Sequence, residues 1–67
     1  MSIAKTIEIS SESQTSFEDA IESGLQRAEE SLKNVKGAWI AEQKVAVEGG
    51  KIVSYRVIMR VTFILDS

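Results

Sequence analysis

The chain has 67 residues, 43% of them hydrophobic, with ten acidic and eight basic side chains and neither cysteine nor histidine. So short a chain makes a single domain, 1–67, that buries only about 60% of its unfolded surface. The missing residue types exclude a disulfide framework and any zinc site on thiolate or imidazole. The net charge of −2 lacks the polycationic footprint that holds nucleic acid.

Small domains without staples gain stability by associating with copies of themselves, so self-association is the first expectation. No segment approaches the roughly 20 apolar residues needed to cross a bilayer, and the start "MSIAKTIEIS" has no apolar run followed by a cleavage site. A soluble, cytoplasmic protein is expected, with no nucleic-acid or membrane partner.

Residues 3–10 place Ile3, Ile7 and Ile9 on one parity and Thr6, Glu8 and Ser10 on the other, the period-two pattern of a half-buried strand. Lys5 interrupts the apolar parity, as at an edge or an early frayed turn. The polar run "SSESQTS", 10–16, reads as a loop.

Thr15 or Ser16 can cap a helix, and Glu18 stands three residues after Thr15 in capping-box spacing. Phe17, Ala20, Ile21, Gly24, Leu25, Ala28, Leu32 and Val35 then trace one helical stripe. Acids fall mostly early in the helix and bases later, as its dipole favours. Gly24 within the stripe predicts a close approach of helix to sheet.

From Ala38 the pattern is extended, through "AWIAEQKVAVE". It turns at Gly49 and Gly50 and runs on to Asp66. Two glycines between β-rich runs signal a hairpin, because primed turns need the positive φ that glycine takes freely. In the last run Val53, Tyr55, Val57, Met59, Val61, Phe63 and Leu65 share one parity.

The predicted fold is α+β: a β-α-β-β order forming a three-stranded antiparallel sheet with one helix packed on one face. The second face then carries Ile52, Ile58, Ile64 and Trp39 among arginines, and an exposed patch of that kind marks an interface. If pairing brings Gly37 and Trp39 to the side of Arg56 and Arg60, an indole, guanidiniums and a glycine-sized gap line that interface. Such a wall suits a planar anionic ligand. From pattern alone, a lone tryptophan in a strand is more often interface packing than a ligand platform.

Catalytic chemistry has little to stand on, since the usual proton shuttle and the commonest nucleophile are absent. The expectation is a protein that is not an enzyme. Carboxylates are the only plentiful hard ligands, and no loop supplies an EF-hand series, so a metal would sit between subunits or be shared with backbone carbonyls.

The strand "KTIEIS", the "SQTSFEDA" start of the helix at 13–20, "RAEESLKNV" at 27–35 and the terminal "YRVIMRVTFIL" together resemble the dodecins. The resemblance covers nearly the whole chain. It implies a homododecamer, a hollow shell that sequesters flavin (riboflavin or FMN) between aromatic side chains at subunit interfaces. Some members also bind coenzyme A. A subgroup lacking the flavin residues is associated with calcium, and calcium or magnesium is a possible ion here.

Two slots depart from the flavin-binding pattern. The stacking tryptophan's slot holds Gly37, with the indole two residues later at Trp39, and the flavin-bonding glutamine's slot holds Arg56. Two residues make one pleat, about 6.6 to 6.8 Å, and return a side chain to the same face. The ligand-binding residues expected from the resemblance are therefore Gly37, Trp39 and Arg56. Three arrangements fit: Trp39 stacks a flavin in a shifted pose with Arg56 at its carbonyl edge, Trp39 fills the abandoned pocket, or the pocket takes another anionic ligand. The alternative is an assembly of the same fold, structural or calcium-stabilised, that has lost flavin binding.

Overall fold

The computed structural model describes residues 3–65. The elements run β1 (Ile3–Ser13), α1 (Phe17–Leu32), β2 (Val35–Glu48) and β3 (Lys51–Leu65). Both neighbours of β3 pair with it antiparallel, so the sheet order is β1-β3-β2 with the longest strand in the middle. The α+β, β-α-β-β expectation describes this architecture. Asp66, read as the end of the last run, lies outside the described residues.

The helix lies where the alternation of β3 directs it. Val57, Met59 and Val61 are fully buried and packed with Ala20 and Ala28 of α1, and Phe63 is nearly buried. Ile7 and Ile9 of β1 and Ile40 of β2 flank that core. Gly24 marks the close approach: a Cβ there would stand 2.7 Å from Met59 Cε and 3.0 Å from Ser11 Cβ, so any side chain must displace the sheet or its methionine.

Four local expectations need correction. Residues 10–13 are strand rather than loop: Ser11 opposes Val57 and Ser13 opposes Tyr55, because backbone pairing with β3 outweighs polar composition. Ser13 is buried, and its hydroxyl donates to Asp19 Oδ2 at 2.7 Å while accepting from the Thr15 amide at 2.9 Å. Ser16 alone is the cap, accepting from the Asp19 amide at 2.9 Å, so the Thr15–Glu18 box does not form. Charge does not follow the dipole either, since the last turn holds no basic residue.

The fourth correction is the helix end. α1 stops at Leu32, and Val35 reaches the core from β2, opposite Phe63. Lys33 (φ 58, ψ 157) and Asn34 (φ 51) both take positive φ to make this turn. The junction is held from three sides: the Lys33 amide donates to Glu29 O, the Val35 amide to Glu29 Oε2, and the Ile64 amide to Asn34 O. Lys33 sits in a region that essentially only glycine occupies without strain. Lys33→Gly is therefore expected to raise stability by about 1 kcal/mol, read as a higher urea midpoint at unchanged slope.

A helix of 16 residues is about 24 Å long, whereas a strand of 15 spans about 50 Å. The helix therefore cannot cover the sheet. Phe17 at its start meets Tyr55 edge-on, with ring centroids 5.1 Å apart, and the pairing of β1 also ends at Tyr55. Beyond that point β2 and β3 continue alone as a two-stranded arm, closed by Gly49 (φ 59) and Gly50 (φ 79). The result is a molecule 52 Å long and only 19 × 13 Å in section. Val47, Ile52 and Val53 stand exposed on the arm.

Candidate binding face

The even-numbered residues of β1 and β3 turn away from the helix, and antiparallel register brings them into rows across the sheet. Opposed residues of neighbouring strands share a face. One row is Glu8, Arg60 and Trp39; the next toward the free ends of the hairpin strands is Thr6, Thr62 and Gly37; another, toward the arm, is Glu12, Arg56 and Lys44.

β2 keeps its partners only by slipping. Irregularities between Val35 and Gly37 and between Ile40 and Glu42 each shift its register by one residue. Ile40 and Val45, of opposite parity in sequence, consequently both pair with odd-numbered residues of β3, Met59 and Tyr55. Ala41 falls in the second irregularity and has no partner in the ladder.

Trp39 is the most exposed large apolar side chain among the described residues, at 70%. The Arg60 guanidinium carbon is 5.9 Å from its ring centroid, within the range of a cation–π contact. Arg60 Nε lies 3.9 Å from Glu8 Oε2, an ion pair without a hydrogen bond. At Gly37 a Cβ would meet nothing within 4 Å, so the slot beside the indole is open.

Arg56 is held differently. Its Nε and one terminal nitrogen both donate to Glu12 Oε1, at 3.0 and 2.6 Å. A shallow groove of about 300 Å³ lies beside it, lined by Glu12, Lys44, Ala46, Ser54 and Arg56. Arg56 is on the same face as Trp39 but four residues along β3 from Arg60, about 13 Å away. Within one chain the guanidinium brought to the indole is therefore that of Arg60. Parity alone put both arginines on this face; the register, which parity does not reveal, chose between them.

The exposed indole, the empty slot at Gly37 and the adjacent guanidinium together offer stacking surface, space and positive charge. Among the described residues no group of three or more carboxylates is gathered to hold a metal ion, and calcium takes six to eight oxygens. Glu8 and Glu12, the acids of β1 on this face, are already paired with arginines. Among the described residues no helix is long and apolar enough to cross a membrane.

Comparison with known proteins places these features in context. A family model described as Dodecin matches residues 3–66. The chain is 36% identical over 63 residues to the calcium dodecin of Mycobacterium tuberculosis, covering 94% of this chain and 89% of that one. A crystal structure of calcium dodecin from M. tuberculosis, described as a calcium-chelating immunodominant antigen with a novel calcium-binding site, superimposes with a TM-score of 0.82 at 37% identity, over 96% and 91% of the two chains. The dodecin of Streptomyces davaonensis superimposes with a TM-score of 0.92 at 27% identity, over 98% and 97%.

Proposed function

Because the chain belongs to the dodecin family, we propose that it is a non-catalytic binding protein of the cytoplasm that assembles from copies of itself and holds a small planar anionic ligand between them. The ligand class is that of flavin nucleotides, and the assembly is the homododecamer that the family resemblance implies. The observation that carries this reading is Trp39, 70% exposed on the face away from the helix, with Arg60 over its ring and the open slot of Gly37 one pleat away.

An exposed indole costs apolar surface in water, on the order of 25 cal/mol per Å², and that cost is relieved when a ligand or a second copy covers it. Trp39 provides stacking, Gly37 leaves room for a ring, and the arginines of the face provide positive charge. Arg56 enters as a candidate through the groove it shares with Lys44 and Ser54, at a distance that suits a ligand extending toward the arm or an indole from another copy. Coenzyme A, another extended nucleotide, has the same chemical features.

A second reading is favoured by the 36% identity to a calcium dodecin. In it the fold is retained as an ion-stabilised assembly, and Trp39 packs between subunits. Since no carboxylate cluster forms within one chain among the described residues, calcium would be held by oxygens from several copies. Binding and assembly would then be coupled.

Titration of the assembled protein with FMN against Trp39 fluorescence distinguishes the two. The first reading predicts quenching at micromolar protein, with thermal stability indifferent to chelator. No quenching from an intact assembly, together with a melting temperature that falls on chelation and recovers with calcium, would replace it by the second.

A further inference from the structure

Arg60 lies between two partners of opposite appeal. The guanidinium carbon is 5.9 Å from the Trp39 ring centroid, and Nε is 3.9 Å from the Glu8 carboxylate. All three belong to one row of the sheet. We infer that Arg60 is the selectivity residue of the Trp39 surface: it occupies an indole face on which a planar ligand would stack, and yields it to a ligand that brings its own anion. The inference rests on the planar-ligand reading given above.

A neutral ring that displaces Arg60 exchanges one indole contact for another and leaves the guanidinium with Glu8 alone. A ring carrying a phosphate also stacks, and in addition gives the guanidinium charge-assisted, forked hydrogen bonds that are stronger than the present 3.9 Å approach. The phosphate takes over the part now played by Glu8.

The surroundings permit this exchange. The side chains of Arg60 and Glu8 are 53% and 61% exposed and share no hydrogen bond, so the guanidinium can swing without breaking a fixed contact. Arg56 would have to break two hydrogen bonds to Glu12 to do the same. On the other side of the row, the Thr6 and Thr62 hydroxyls lie 3.4 Å apart, next to the space at Gly37. One of the two hydroxyls donates to the other, so the pair offers a phosphate one free donor, and the missing side chain leaves room for it.

Riboflavin and FMN carry the same ring and differ by the phosphate, so the pair tests the inference directly. The assembled wild-type protein is expected to bind FMN roughly tenfold more tightly than riboflavin, by quenching of Trp39 fluorescence. In Arg60→Gln the ratio should approach one as riboflavin binding tightens, with far-UV spectrum and assembly size retained. Arg60→Lys keeps the charge and should preserve a preference for FMN. Equal binding of both flavins to wild type, or an unchanged ratio in Arg60→Gln, overturns the role of Arg60 while leaving the ligand reading in place. Absence of quenching by either flavin, in wild type and variant alike, overturns both.

Discussion

Replacing Met59 by alanine is expected to remove about 3 kcal/mol of folding stability, within the roughly 2 to 5 kcal/mol seen for such core truncations. Met59 is fully buried at the centre of the middle strand, with Ile9 opposite it on β1 and Ile40 on β2. Its terminal methyl lies against Gly24, the point of closest approach between helix and sheet. Truncation leaves a cavity that Gly24 cannot fill, because it has no side chain to move. Two β-strands fix the walls on either side, so little collapse is available.

A domain of this size has about 3 to 10 kcal/mol in all. A free subunit of the Met59→Ala variant should therefore be near its unfolding limit, and only assembly would keep it folded. Urea unfolding followed by circular dichroism over a range of protein concentrations measures both effects: a lower midpoint, and one that depends more steeply on concentration. A loss below about 1 kcal/mol, well short of the usual range, would show that the core is not centred on this residue.

The second large effect is expected at the arm. Ile52→Asp should prevent full assembly at micromolar concentration, with sedimentation showing a smaller species that keeps its strand signal. Past Tyr55 the hairpin has neither β1 nor the helix for support, yet it carries Val47, Ile52 and Val53 exposed. An isolated two-stranded hairpin is marginal in water, so copies of the chain are its natural cover. A carboxylate in that contact would be desolvated without a partner, at a cost of several kcal/mol, repeated in every copy. Unchanged size for Ile52→Asp would exclude the arm from the assembly contacts.

These two sites differ in how openly the sequence displays them. The alternation from Val53 to Leu65 is nearly unbroken, so the core of β3 and the stripe of the helix can be matched face to face from residue order alone. Gly24 is equally legible, since a glycine costing about 1 kcal/mol in a helix calls for a neighbour that needs the space. The hairpin turn follows from Gly49 and Gly50, whose positive φ values carry no penalty in glycine.

Pattern fails where two forces compete over one segment. Ser10 to Ser13 look like loop because their composition is polar, but an unpaired stretch of β3 was available and backbone pairing prevailed. Val35 fits the helical stripe in spacing, and still lies on a strand, because Lys33 and Asn34 turn the chain in conformations that no residue preference announces. Trp39 lies on the outer face, where alternation puts it. Its partner is not decided by alternation, since Arg56 and Arg60 share the same parity.

The sequence by itself thus determined the fold class, the order of elements, the face that meets the helix, and the absence of thiol and imidazole chemistry. All of these depend on residue type and on periods of about 2 and 3.6, which are local properties. Only the tertiary structure decided the register: which arginine meets Trp39, which glutamate holds each arginine, and how much of the hairpin extends beyond the helix. Three slips along the β2–β3 pairing each move it by one residue. Such slips are settled by the summed fit of β2 against β3 and the helix core, a long-range quantity that no short window of sequence contains.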